Sequence, residues 1–269
     1  MALLSKAHLL LLILQTSGCL SKFGSSGFIE YREGNVGIVI AVPHGGSWDY
    51  QEIPNRKYGV LEGDDHTREL GEVVATAICR TLGKCPHLII SNLKRSKLDP
   101  NRNKTEAAQG NPKAEKAWEE YQGFIEEAKK VEGLGVVIDL HGQSHRQNST
   151  ELGYLLSTAE LNSGDYDSAK SSVRQLARRL GKSGKEVMTG NFYFLSASDL
   201  LLIFLAGALS LGAYIEKEGY KALPSPRQPA PGEQEYFTGE IISCILKLDL
   251  EYSRGFHCGK TRIQGTGQV

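Results

Sequence analysis

The sequence predicts an α/β fold with a mixed, mostly parallel central sheet and helices on both faces. Three short runs rich in β-branched residues have strand length: Gly37 to Val42, His87 to Leu93 and Gly135 to Leu140. Near-continuous apolar runs of this kind are read as strands buried on both sides. Helix-period segments lie between them, and this alternation of strand and helix is what a sheet covered by crossover helices requires.

Along the chain, Leu9 to Leu14 is a compact apolar block with Lys6 before it and small residues up to Cys19 after it. That pattern predicts a secretory signal peptide over residues 1–20, followed by a Gly/Ser-rich stretch from Ser21 to Gly27 and a single domain over 28–269. The first strand candidate, Gly37 to Val42, leads to a helix over Thr67 to Leu82, with Leu70, Val73, Val74, Ala77, Ile78 and Thr81 on one face. After His87 to Leu93 comes a longer helical candidate over Ala107 to Val131, interrupted near Gly110-Asn111-Pro112. Beyond the third strand, Leu152 to Ser157 is a further strand candidate. Asp165 to Leu180 is a helix whose acidic start and Arg178-Arg179 finish suit its dipole. Leu200 to Ile215 is strongly apolar but shorter than the roughly 18 to 20 residues of a membrane span, and Gly207 and Gly212 break it, so it is expected in the core. From Leu223 the chain becomes a proline-rich loop.

Composition narrows the function. With 269 residues the chain is long enough for a large core, and its 31 Lys+Arg balance 31 Asp+Glu. No uniform field exists to recruit nucleic acid or an acidic membrane, so the expected partner is a small molecule. Once Cys19 leaves with the signal, Cys79, Cys85, Cys244 and Cys258 permit two disulfides, without the spacing of a structural zinc cluster. Asn103 and Asn148 each begin a glycosylation acceptor triplet, usable if the chain is exported.

His44, in Val42-Pro43-His44-Gly45-Gly46, and His141, in Ile138-Asp139-Leu140-His141-Gly142, each end a strand candidate and open onto glycine. Side chains at the carboxyl edge of an open α/β sheet are where such folds keep ligands and chemistry. Two histidines there read as halves of one metal site, because a catalytic zinc takes three ligands from His, Asp and Glu and keeps a fourth position for water. The third ligand is sought in Glu62-Gly63-Asp64-Asp65-His66-Thr67, where Glu62, Asp64 and Asp65 compete with a helix-capping role. His66 and His145 are further histidines able to orient substrate or carry a proton. Asp139 is placed by strand alternation on the same face as His141, as an outer partner for a histidine N–H. A third cluster, Arg95-Ser96-Lys97-Leu98-Asp99-Pro100-Asn101-Arg102, suits the paired hydrogen bonds by which guanidinium holds a carboxylate.

Together with Glu151-Leu152-Gly153-Tyr154-Leu155 and Ser210-Leu211-Gly212, these motifs resemble the N-formylglutamate amidohydrolase-like family, in consistent order over roughly residues 35 to 240. The resemblance implies a three-layer α/β/α sandwich shared with zinc carboxypeptidases and aspartoacylase-like enzymes. It implies Zn2+ held by His44, Asp64 and His141, with Asp65 the rival of Asp64, and a substrate carboxylate held by Asn101 and Arg102 with help from Arg95. The implied reaction is hydrolysis of an amide beside a carboxylate, with a late glutamate as general base. Here the chain departs from the family: after Gly239 the tail diverges, and no glutamate follows Gln264. Glu240 and Glu251 are the nearest substitutes, and His145 is the remaining acid/base candidate. Two expectations follow from different classes: a secreted zinc amidohydrolase for an N-acyl amino acid or small peptide, and a secreted protein that binds a carboxylated ligand without cutting it.

Overall fold

The computed structural model describes residues 21–130, 136–165, 168, 170–172, 174, 175, 178, 210–239 and 247–253, the last for their backbone. The expected signal peptide, Glu240, Cys244, Cys258, Gln264, most of the helix expected from Asp165 and residues 200–209 lie outside the described residues. The chain is a mixed α/β protein whose contacts group into two units, and the division falls between Leu140 and His141, inside one unbroken strand.

The first unit contains β1 (Ser21–Phe23), β2 (Ile29–Arg32), β3 (Ile38–Val42), α1 (Thr67–Leu82), β4 (His87–Ser91), α2 (Lys104–Ala108), α3 (Pro112–Ala128) and the start of β5 (Val136–Gln143). Its strand order is β1-β2-β4-β3-β5. β4, β3 and β5 are parallel, Val39 pairing with His87 and with Val137, while β2 and β1 add antiparallel at the edge. Alternation along the strands sends Val39, Ala41, Ile89 and Val137 to one face, where they cluster with Ala114, Ala117, Tyr121 and Ile125 of α3. On the opposite face α1 comes down at Gly71, where a Cβ would stand 2.8 Å from Val42 Cγ2. Helices therefore pack on both faces of the sheet, as the alternation of elements requires.

Local differences from the sequence expectation have identifiable causes. The helical candidate over Ala107 to Val131 is two helices, broken at the interruption expected near Gly110-Asn111-Pro112, and the first of them starts earlier, at Lys104. Gln109 (φ 48°) and Gly110 (φ 80°) take left-handed conformations that end α2, and Asn111 then caps α3 by accepting from the N–H groups of Lys113 and Ala114. The α1 stripe read from the sequence is only partly used: Val73 is 64% exposed, and the buried residues are Thr67 and Gly71. A small residue lets that helix approach the sheet closely, so backbone proximity rather than the apolar stripe makes the contact.

The second unit contains the end of β5, β6 (Thr150–Gly153), α4 (Thr158–Ser163), α5 (Leu211–Lys217), β7 (Ala222–Leu223) and all but the first residue of β8 (Lys247–Ser253). β6 pairs in parallel with β7 and antiparallel with β8, whose backbone sets Glu251 opposite Glu151. The strand expected over Leu152 to Ser157 is displaced toward the N-terminus. Leu155 at φ 57° breaks the extended run, and Ser157 forms a capping box with Glu160 that opens α4. Among the described residues no helix is long and apolar enough to cross a membrane. Cys79 and Cys85 form a disulfide joining the end of α1 to the segment before β4.

Glu30, buried on β2, accepts from Arg32 Nε at 2.7 Å and from Arg68 Nη2 at 2.8 Å. Burial pushes its carboxyl up, but the hydrogen bonds and charges of the two guanidinium groups outweigh this and hold it below the ordinary range. A carboxyl whose folded pKa is depressed adds stability above its unfolded pKa, and that contribution is lost as pH falls through the folded value. Glu30→Gln is therefore expected to cost about 1 to 2 kcal/mol in urea unfolding at pH 7. The gap to the parent chain should close below about pH 4; a gap that is constant from pH 7 to pH 3 would rule out the ionic origin.

Candidate metal centre

In the order β4-β3-β5, the chain leaves β3 for one neighbour and returns later to the other. That change of direction falls at the carboxyl ends of β3 and β5, the place where doubly wound sheets take ligands. His44 stands two residues past β3, and His141 lies within β5, two residues past Asp139, whose register partner is Ala41 on β3. The strand containing His141 thus runs on to Gln143, beyond the Leu140 end expected from sequence. The glycines after His44 have a steric cause: a Cβ on Gly46 would stand 2.4 Å from the carbonyl oxygen of Leu93, and one on Gly45 would stand 2.6 Å from Arg68 N. Side chains there would push the His44 turn off the start of α1 and off the segment that follows β4.

Asp64 reaches His44 through its own loop. Its N–H donates to the His44 carbonyl at 3.1 Å, and its Oδ2 lies 3.1 Å from His44 Nδ1. Helix α1 is capped at His66, which has φ 62° and makes no side-chain capping bond, while Thr67 Oγ1 donates to the Asp64 carbonyl oxygen. Asp64 is 8% exposed, whereas Glu62, Asp65 and His66 are exposed. His44, Asp64 and His141 are all buried, and one ligating atom from each lies within 4.8 Å of the others.

Behind His44 stands a residue that the sequence reading placed with the substrate. Asp99, fully buried, has Oδ1 2.7 Å from His44 Nε2. The same oxygen accepts from the Asn101 N–H at 3.1 Å, and Oδ2 accepts from Arg95 Nε at 2.9 Å. Arg56, also buried, approaches Asp99 Oδ2 with Nη1 at 3.7 Å and donates to the carbonyl oxygens of Val60 and Arg95. Burial pushes the Asp99 carboxyl up, but the hydrogen bond and charge of His44 and those of Arg95 prevail and hold it well below the ordinary carboxylate range. Beneath lies Tyr121, whose phenol is pushed far up by burial and by the charges of Asp139 and Asp99 and so stays neutral.

The substrate cluster divides accordingly. Arg95 is committed to protein carboxylates, with Nη1 3.5 Å from Asp64 Oδ1 besides its bond to Asp99. The Arg102 side chain is 23% exposed; its Nη1 donates to the Asn101 carbonyl oxygen and its Nε is 3.4 Å from Glu106. α3 pins this turn, Trp118 Nε1 donating to the Arg102 carbonyl oxygen and Gln122 Nε2 to that of Pro100. His145 pairs with Glu151 at 2.8 Å. Glu240 lies outside the described residues, and Glu251 is placed by its backbone in β8. Arg56 and Glu151 went unassigned from sequence. Arg56 sits in a polar loop without periodicity, and Glu151 carries no signal beyond its place in the Glu-Leu-Gly-Tyr segment.

The donor set suits a divalent ion. A tetrahedral zinc with bonds of about 2.0 to 2.1 Å separates its ligand atoms by roughly 3.3 Å, close to the 3.1 Å between His44 Nδ1 and Asp64 Oδ2. Two imidazoles and one carboxylate, with a buried carboxylate behind one imidazole, is the pattern by which proteins orient a metal-binding histidine. An α/β protein with a buried His-Asp-His trio at its sheet edge belongs, by that geometry, among candidate metalloproteins. No family model and no curated protein matches the chain. Among solved structures it is similar to the N-formylglutamate amidohydrolase from Ralstonia eutropha JMP134, with 12% identity, 84% of this chain and 86% of that chain covered, and a TM-score of 0.41.

Proposed function

We propose that this chain is a secreted zinc-dependent amidohydrolase that cleaves the amide of an N-acyl amino acid or of a small peptide carrying a free carboxylate. The observation that carries the reading is the buried convergence of His44, Asp64 and His141, with Asp99 behind His44. The ordered motifs that resemble the N-formylglutamate amidohydrolase-like family support the same reaction class. Bound zinc would acidify a water and polarise the scissile carbonyl. The chain's own residues do the rest. Asp99 holds the His44 ring by Nε2 so that Nδ1 faces Asp64, and Arg95 spans Asp64 and Asp99 and fixes both. Arg102 grips the substrate carboxylate by paired hydrogen bonds, and Asn101 assists, which sets the register of the amide.

Export is supported by the signal-like N-terminus and by the Cys79–Cys85 pair, since disulfides persist in oxidising compartments. Asn103 and Asn148 are both exposed, as glycan acceptors must be. The second reading, binding without cleavage, draws on the sequence that follows Gly239, which departs from the pattern of the family it resembles.

The test is metal analysis joined to an assay. Purified protein is expected to hold about one zinc per chain and to release free amino acid from N-formyl-L-glutamate or from a panel of N-acetyl amino acids. A chelator should stop the release and added zinc restore it. Protein that loads zinc and binds these compounds but cleaves none favours the second reading, and protein that takes up no zinc defeats both.

A further inference from the structure

Glu151 on β6 is fully buried, yet three donors meet its carboxylate. His145 Nδ1 stands 2.8 Å and Gln147 Nε2 3.0 Å from Oε1, and the Phe237 N–H donates to Oε2 at 2.7 Å. The turn that carries His145 is held from both sides. The His145 N–H donates to Gln143 Oε1, and Gln143 Nε2 donates to the Ser149 carbonyl oxygen. This assembly adjoins the candidate ligand His141: the Phe237 ring lies 6.0 Å from the His141 ring, while the Phe237 N–H binds Glu151. Gln143 is two residues beyond His141 on β5.

An ionised carboxylate only accepts hydrogen bonds, so the ring nitrogen facing Glu151 is the N–H. In a neutral imidazole the other nitrogen then carries the lone pair. Glu151 is sealed and already satisfied, so it positions, while 27% of the His145 side chain remains open to solvent. This is the arrangement of an oriented base: a buried carboxylate sets the tautomer, and the second nitrogen is left to exchange a proton.

We infer that the Glu151–His145 pair carries out the proton transfers of this site, a role for which the divergent tail offers no glutamate in a matching motif; the inference rests on the amidohydrolase reading. His145 Nε2 takes a proton as an O–H bond of the attacking water breaks and its oxygen bonds to the carbonyl carbon. The tetrahedral adduct then breaks its C–N bond, and the same proton passes from Nε2 to the leaving nitrogen. The products are a carboxylic acid and an amine, and His145 is returned to its starting form. Glu151 is a positioning residue: it holds Nδ1–H and keeps Nε2 as the acceptor.

Long-range proton–nitrogen correlation spectra of 15N-histidine-labelled, zinc-loaded protein read the tautomer directly. His145 is expected as Nδ1–H with Nε2 unprotonated, and in Glu151→Ala as a mixture of the two forms. Glu151→Gln preserves the volume should Glu151→Ala fail to fold. In the assay with N-formyl-L-glutamate and the N-acetyl amino acids, His145→Gln is expected to keep the parent zinc content and to lose about 100-fold or more in rate, part of which free imidazole restores. A purely structural pair predicts no rescue. An Nε2–H tautomer in the parent protein, or His145→Gln at the parent rate, overturns the inference while the hydrolase reading stands. A zinc-loaded parent that cleaves none of the probes overturns the hydrolase reading, and this inference with it.

Discussion

His44→Ala is expected to abolish tight zinc binding while leaving the protein folded, and His141→Ala to do the same. Both side chains are buried, His44 two residues past β3 and His141 within β5, and one ligating atom from each lies within 4.8 Å of the other and of Asp64. In the proposed centre, removing one of three protein ligands takes away a bond to the ion itself. The affinity should therefore fall by more than the roughly 10- to 100-fold that loss of an outer partner costs. The measurement is zinc content after dialysis against a weak chelator, with circular dichroism to confirm folding. His66→Ala supplies the contrast: His66 is exposed at the helix N-cap and makes no capping bond with its side chain, so zinc content should be unchanged. Full zinc occupancy in folded His44→Ala or His141→Ala would remove the proposed centre.

Asp99→Ala combines the largest stability loss with a loss of metal affinity. Asp99 is fully buried and is the shared acceptor for His44, Arg95 and the Asn101 N–H, with Arg56 close by. Truncating it leaves the Arg56 guanidinium in the interior without its nearest carboxylate and leaves Arg95 with Asp64 alone. Breaking a buried ionic pair in this way costs about 3 to 5 kcal/mol. Freeing the outer nitrogen of His44 should also weaken zinc by about 10- to 100-fold. Urea unfolding of metal-free protein isolates the first effect, and competition with a chromogenic chelator measures the second. Asp99→Asn keeps the shape and one acceptor, so it should fall between parent and alanine variant on both scales. Unchanged stability in Asp99→Ala would show that the carboxylate does not organise its surroundings.

The pattern of what could be read from the chain follows the range of the forces involved. β3, β4 and β5 were legible as apolar runs because a strand buried on both faces needs apolar side chains at nearly every position, and that demand is written locally. Their ends were less legible. β5 runs on through His141 and Gly142 because backbone pairing continues past the last apolar residue, and β6 stops at Gly153 because Leu155 takes a left-handed conformation. The antiparallel edge strands β1 and β2 are too short and mixed to stand out. Arg56 shows the same limit at the site, since its position among polar loop residues says nothing of the buried carboxylate it will face.

Residue types and their order along the chain sufficed for the alternating fold and for singling out two histidines, an acidic loop and an arginine cluster as candidate chemistry-bearing parts. Folding decided the assignments within each part. It turned Asp64 inward beside His44 while leaving Asp65 and Glu62 in solvent, and it moved Asp99 from the expected substrate grip to the back of the His44 ring. Apolar periodicity is a short-range signal, because each strand or helix must bury its own face. Which carboxylate meets which imidazole depends on loops that close over tens of residues, where burial and hydrogen bonding with distant partners select one among several chemically equivalent neighbours.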